Sequence, residues 1–348
     1  MAGGVGAGAT VSVAAERALV RRARSRPDPE RGEPLAERPG RERRVPSFDG
    51  TELVVDVVGP EDAPTVVFSH GFTVNMTVWH YQWKRLSKRY RCVLYDHRGH
   101  GRSERARTGD YSLKALGLDL KAVLDDAAPD GPVAVMGHSM GGMAIMALAE
   151  QDPEEFARRI HAVVLADTSA ADLVKELLSG LGARASALLA RRAARLVGGK
   201  GAAARLRGRA LARRSPLAFL VAEATNFGPH APPTLIDFVV TLSAEARPEV
   251  WTDLMASLVE MNLTEALRHI TTPTLVVVGD VDRLTPPASA LAITRNIPDA
   301  RLVVLKGAGH CAMLERHLQF NRVVEGFLEE SLGSAVEPPT AAASGGRS

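Results

Sequence analysis

Ser139 stands in Gly137-His138-Ser139-Met140-Gly141, a GxSxG pentapeptide that follows the apolar run Pro132 to Met136 and opens a helical stretch through Glu150. A serine hydroxyl is a weak nucleophile until a base takes its proton, so its placement matters more than its identity. A strand-to-helix elbow is a placement that serves such chemistry, and the crowding on so tight a turn is relieved by small residues, here Gly137, Gly141 and Gly142. Further along, two loops carry side chains able to take part in proton transfer. Gly279-Asp280-Val281-Asp282-Arg283-Leu284-Thr285-Pro286 follows the apolar run Thr274 to Val278, and Gly307-Ala308-Gly309-His310 follows Arg301 to Leu305. Asp280, Asp282 and the earlier Asp167 are the carboxylates available to partner an imidazole, and the residues alone leave that choice open.

The elements that must position these groups follow from periodicity. Continuous apolar runs at Leu53 to Val58, Thr65 to Ser69, Arg91 to Tyr95, Val133 to Met136, Ala162 to Leu165, Thr274 to Val278 and Arg301 to Leu305 read as strands buried on both faces. Helical stretches alternate with them at Thr77 to Ser87, Ser112 to Ala127, Met140 to Glu150, Pro287 to Arg295 and Cys311 to Leu332. The last is expected to face the core through Leu314, Leu318, Val324 and Leu328. This alternation predicts an α/β fold, a mostly parallel sheet with crossover helices. Residues 1–46 lack sustained periodicity and are expected to form a flexible extension, with one short helix near Ala14 to Arg24. The core is expected over 47–168 and 262–332, interrupted at 169–261 by a helical cap, with a disordered tail over 333–348. An insertion that follows a strand's C-terminal end sits where ligands bind in open α/β sheets.

Composition narrows the function classes. The 348 residues are 45% hydrophobic and 24% charged, which fits a globular chain, and a net charge of +3 is too mild to point to nucleic acid. Two cysteines, Cys92 and Cys311, form neither a disulfide framework nor a CxxC site. Met1 to Val20 lacks the basic start of a secretory signal, and no apolar run approaches the ~20 residues that span a bilayer. The expected location is cytoplasmic, at most peripheral to a membrane. The one strongly charged stretch is Ala171 to Pro216, with eleven basic against two acidic residues. Such a segment fits a solvated helix, or weak contact with an anionic membrane surface. His70, His97 and His100 lack metal-ligand spacing, and no GxGxxG or Walker-type loop follows the first strand, so neither a metal nor another cofactor is expected. Oligomeric state leaves no trace in the sequence.

From about Ser47 to Leu332, the GxSxG elbow, the GDxD turn and the GxGH loop, in that order, resemble the capped serine α/β-hydrolases, a set that includes esterases, monoglyceride-type lipases and haloperoxidase-like enzymes. The resemblance implies an α/β-hydrolase fold in which His310 takes the proton of Ser139 while Asp282 orients the ring, with Asp280 and Asp167 as the alternative acids. It further implies that Ser69-His70-Gly71-Phe72 supplies the Phe72 backbone N–H as one oxyanion donor, the Met140 N–H being the other, and that His70 is structural. Asp96-His97-Arg98-Gly99-His100-Gly101-Arg102-Ser103 matches the family's DxRGxGxS loop, a brace for the site. In the family's strand order Cys92 and Cys311 lie too far apart to pair. The expected activity is hydrolysis of a small-molecule carboxylic ester, medium-chain or lipid-like in its acyl part, through an acyl-enzyme. C–C bond hydrolysis, perhydrolysis or acyl transfer on the same residues is the alternative, and a non-catalytic ligand receptor the more distant one. Relatives that are dehalogenases or epoxide hydrolases carry Asp where this chain has Ser139.

Overall fold

All seven apolar runs become strands of a single sheet in the computed structural model, which describes residues 16–171 and 215–332. They are β2 (Glu52–Val58), β3 (Thr65–Ser69), β4 (Arg91–Tyr95), β5 (Val133–His138), β6 (Ile160–Ala166), β7 (Thr274–Gly279) and β8 (Ala300–Leu305). An eighth strand, β1 (Arg41–Pro46), precedes them, and the spatial order is β1-β2-β4-β3-β5-β6-β7-β8. β1 pairs antiparallel with β2 and β2 with β4, and every other neighbouring pair is parallel.

Alternation along the buried strands feeds two cores. Val66, Phe68, Ala134, Met136 and Val164 face the terminal helix His317–Leu332, while Val67, Val135, Val163 and Leu165 face the helices Leu113–Ala127 and Met140–Gln151. With helices on both faces, β3 and β5 have no exposed residue, which is why they read as unbroken apolar runs. The loops that leave the C-terminal ends of β3, β5, β6, β7 and β8 carry the candidate residues.

Two sequence expectations need correction. First, the flexible extension does not hold over its described part. Arg41–Pro46 is a strand and Val20, Ala23 and Leu35 are buried, while residues 16–24 are helical where the short helix is expected. Its short elements and polar composition hide this, because the segment is held mainly by partners distant in sequence: Arg38 forks onto buried Asp56, Glu33 accepts from His80 at 2.7 Å, and Glu30 accepts from Tyr81. Second, the terminal helix is broken at Arg316 into Ala312–Glu315 and His317–Leu332. The break resets the helical phase, so Leu318 is 73% exposed while Leu314, Val324 and Leu328 are buried with Phe320 and Phe327. Pro153–Arg159 is an additional short helix, capped by Asp152, whose side chain accepts from the Glu155 N–H.

Between β6 and β7 the described part of the insertion is helical, with Pro216–Asn226, Pro233–Glu245 and Pro248–Val259 each opening on proline, whose fixed φ suits the first turn. The basic stretch lies outside the described residues over 172–214, as does the expected tail over 333–348. The N-terminal segment clasps these helices to the core: Arg24 pairs with Asp237 at 2.7 Å, Arg26 with Glu223, and Thr234 donates to Asp28 at 2.8 Å.

The DxRGxGxS loop is fastened by buried charge. Asp96 accepts the backbone N–H groups of Met76 and Arg102, both at 2.9 Å, and Ser103 links the Asp96 carbonyl to the Val54 N–H. Arg98 forks onto Asp119 through two bonds of 2.6 Å, with both side chains wholly buried. Asp119 sits on the helix Leu113–Ala127, so this pair bolts the loop to the outer layer. Removing one member of such a pair strands the other as an uncompensated buried charge. Arg98→Ala is expected to lower stability by about 3–5 kcal/mol, read from denaturant unfolding midpoints at constant slope.

Candidate active site

β5 ends at His138 and the helix Met140–Gln151 begins one residue later, so Ser139 alone makes the turn. It does so at φ 52° and ψ −120°, a conformation that is costly for a residue with a Cβ. The surroundings hold it there: the Ser139 N–H donates to the Ala166 carbonyl at 3.0 Å, and Thr168 Oγ1 donates to the Ser139 carbonyl at 2.7 Å. From Val133 through Ala149 every residue is buried except Ser139, which the elbow lifts into partial exposure. The crowding expected from the motif is real. A Cβ on Gly141 would stand 2.0 Å from the Ser69 carbonyl oxygen, and one on Gly137 would stand 2.5 Å from the Gly142 nitrogen.

The structure brings the Asp282 and His310 loops together. His310 Nδ1 lies 2.9 Å from Asp282 Oδ2, both side chains being nearly buried. Asp282 Oδ1 accepts from the N–H groups of Leu284 and Thr285 at 2.8 and 3.0 Å, and Thr285 Oγ1 donates to Oδ2 at 2.8 Å. Burial raises the Asp282 carboxyl, but His310 and these donors outweigh it and hold the group below the ordinary carboxylate value. The other two carboxylates are occupied elsewhere. Asp280 is exposed and accepts the Gly307 N–H at 2.6 Å. Asp167 is buried, accepts from the N–H groups of Gly279 and Ala312 at 2.9 and 3.2 Å, and is pushed well up, first by burial and then by neighbouring Asp282. Asp167 thus pins β7 and the segment after His310 to the end of β6.

Beside the elbow runs the Ser69–Phe72 loop, close enough that a Cβ on Gly71 would lie 3.3 Å from that of Ser139. His70 fixes its shape, with Nδ1–H donating to the Gly71 carbonyl at 2.8 Å and Nε2 accepting the His97 N–H at 3.0 Å. Both ring nitrogens are therefore taken by backbone. Burial keeps His70 and His97 well below the ordinary imidazole value, and His100 falls to about 4 for the same reason. The cluster brings no positive charge to the site. Among the described residues, no acceptor takes the backbone N–H of Phe72 or Met140. Nor does a hydrogen bond join Ser139 Oγ to His310 Nε2, a contact that in ligand-free enzymes is often long and tightens on binding. Cys311, next to His310, is a buried free thiol pushed well up by burial, and Cys92 is likewise free and buried in β4.

Thr285, His138 and Glu315 escape the sequence reading. Thr285 follows Asp282 by three residues, the spacing of a side chain that closes on its own turn, and that is the signal that would find it. His138 was visible only as the variable position of the pentapeptide. Glu315 carries no local signal, since its partners are distant or on the loop before it. Its carboxylate accepts from the Gly309 N–H at 2.7 Å and from the Gly228 N–H at 2.9 Å, tying the His310 loop to the inserted helices. Burial pushes Glu315 up to about 7, against the pull of those two donors. A carboxyl whose folded pKa exceeds its unfolded value stabilises fully below the unfolded pKa and loses that contribution as pH rises through the folded one. As pH rises from about 4.5 to above 7, wild type is expected to lose about 3 kcal/mol relative to Glu315→Gln, measured by denaturant unfolding across that range.

Comparison with known proteins identifies the fold. The family described as the alpha/beta hydrolase fold matches residues 64–317. Among curated relatives, the pimeloyl-(acyl-carrier protein) methyl ester esterase of Aeromonas hydrophila is 28% identical over 268 residues, 76% of this chain and 95% of the relative. The 3-oxoadipate enol-lactonase 2 of Acinetobacter baylyi is 29% identical over 275 residues, 78% of this chain and 91% of the relative. Among solved structures, a thermophilic esterase from Thermogutta terrifontis superposes with a TM-score of 0.66 at 24% identity, over 84% of this chain and all of that one, a likeness of fold. With the family match spanning most of its length and every strand from β3 to β8, the chain belongs to the α/β-hydrolase family.

Proposed function

We propose that this chain is a carboxylic ester hydrolase with Ser139 as nucleophile, His310 as general base and acid, and Asp282 as the carboxylate that orients the His310 ring and stabilises its imidazolium. The observation that carries the reading is the 2.9 Å bond between His310 Nδ1 and Asp282 Oδ2, made at the end of the sheet where the elbow exposes Ser139. With Asp282 accepting from Nδ1–H, His310 Nε2 holds the lone pair that takes the Ser139 proton as Oγ attacks the ester carbonyl. The carbonyl oxygen becomes an oxyanion that the backbone N–H groups of Phe72 and Met140 receive, since neither has another acceptor among the described residues. Protonated His310 then gives its proton to the departing alkoxide, leaving an acyl-enzyme. Water, deprotonated by His310, attacks that ester and returns Ser139 to its starting state.

Asp282 is suited to this role because it stays ionised while Asp167, buried without a cation, is pushed towards its neutral form. The inserted helices act as a cap over the site, where Arg283 donates to the Ala224 carbonyl at 2.8 Å and Thr73 meets Ser243 at 3.1 Å. A methyl ester esterase and an enol-lactonase among the relatives support an ester or lactone substrate. The acyl group is read as medium-chain or lipid-like, because the helical cap would wall an apolar pocket.

Fluorophosphonate is expected to label wild type at Ser139 and to leave Ser139→Ala unlabelled, as read by peptide mass spectrometry. With p-nitrophenyl esters of graded chain length, Ser139→Ala is expected to lose at least ~10⁴-fold in kcat and Asp282→Asn roughly 10⁴-fold. Undiminished turnover by Ser139→Ala would place the nucleophile elsewhere.

A further inference from the structure

On β5 the side chains that share the terminal-helix face are Ala134 and Met136, both apolar and fully buried. The next position on that face is His138, 3% exposed. Its Nε2 lies 2.9 Å from the backbone carbonyl oxygen of His310, and because a carbonyl can only accept, Nε2 carries the proton. Its Nδ1 is buried with no hydrogen-bond partner, and it lies so close to Gly71 that a Cβ there would stand 2.6 Å away. As core filling, an imidazole with one nitrogen unsatisfied is inferior to the apolar residues that precede it. What distinguishes it is the link it makes.

We propose that His138 is a positioning residue for the reaction above, setting the distance between nucleophile and base through its Nε2–H bond to the His310 carbonyl. The proposal rests on the ester-hydrolase reading. His138 is peptide-bonded to Ser139, so consecutive Cα atoms about 3.8 Å apart and one rigid ring connect the nucleophile to the backbone of the base. His310 is then gripped both at its ring, by Asp282 with Thr285 beside it, and at its backbone, by the elbow. Other holds on this loop, among them Gly309 to Glu315, Cys311 to Asn226 and Ala312 to Asp167, lead elsewhere. The two imidazoles stand 4.9 Å apart between centroids. Burial first, and the nearby His310 second, hold His138 down at about 3, so it stays neutral beside the imidazolium that His310 becomes. On its other side it packs on Gly71, in the loop that leads to the Phe72 N–H, so one side chain touches both the base loop and the oxyanion loop.

His138→Gln and His138→Asn separate this role from simple packing. A glutamine amide nitrogen reaches the place of Nε2, whereas asparagine is one methylene too short. With a p-nitrophenyl ester, His138→Asn is expected to lose about 10–100-fold in kcat, the scale of a 1 Å misplacement, with KM changed less than about twofold. His138→Gln is expected to recover most of that loss. In wild type, the long-range proton–nitrogen spectrum of the histidines, with His138 assigned by its loss in His138→Gln, is expected to show the neutral Nε2–H tautomer. Equal kcat for the two variants, or a neutral Nδ1–H tautomer, would overturn the proposal while leaving a labelled, active wild type and its ester-hydrolase reading intact. A wild type that neither labels with fluorophosphonate nor turns over esters would overturn both.

Discussion

At Ser139 the chain passes from a fully buried parallel strand to a helix buried through Ala149 within one residue, and the rest of the site answers to that constraint. The turn requires positive φ at a residue that carries a Cβ, and close packing on both sides of it. Such a conformation persists only where the surroundings over-determine it. Here β6 supplies an acceptor for the Ser139 N–H, Thr168 a donor to its carbonyl, and the Ser69 carbonyl closes over Gly141. The same crowding that strains the turn leaves Ser139 as the exposed point of an otherwise sealed segment.

Around the elbow the molecule places ionisable groups in low dielectric and then decides their charge by neighbours. Asp282 and Asp167 are both buried and near one another, so ionising both is unfavourable. His310 and the turn donors of Thr285 tip the balance towards an ionised Asp282, while Asp167 has only backbone N–H groups. The histidines on the neighbouring loops stay neutral for want of solvent. Of these two buried carboxylates, Asp282 is thus the one that carries charge.

The outer pieces of the chain depend on contacts across long sequence separations. The N-terminal segment holds inserted helices through Arg24, Arg26 and Asp28 and holds the core through Glu30, Glu33 and Arg38. Glu315 ties Gly228 of the insertion to Gly309 of the base loop. These polar links leave little mark on local periodicity. That is why the sequence reading treats residues 1–46 as loose and reads the last helix as continuous through Arg316.

By itself the sequence determined the α/β alternation, the strands that end at the site, and the three loops that carry Ser139, Asp282 and His310. Those features are local: continuous burial writes unbroken apolar runs, and tight turns demand glycine at fixed offsets. The strand Arg41–Pro46, an exposed edge with one buried residue, falls below that signal. Only the tertiary structure decided which of Asp167, Asp280 and Asp282 meets the imidazole, since all three follow strand ends and distance alone separates them. It also decided that Leu318 faces outward and that His138 and Glu315 grip the base loop. Periodicity records which face of an element is buried, but a hydrogen bond between residues 172 positions apart exists only once the sheet has brought their strand ends together.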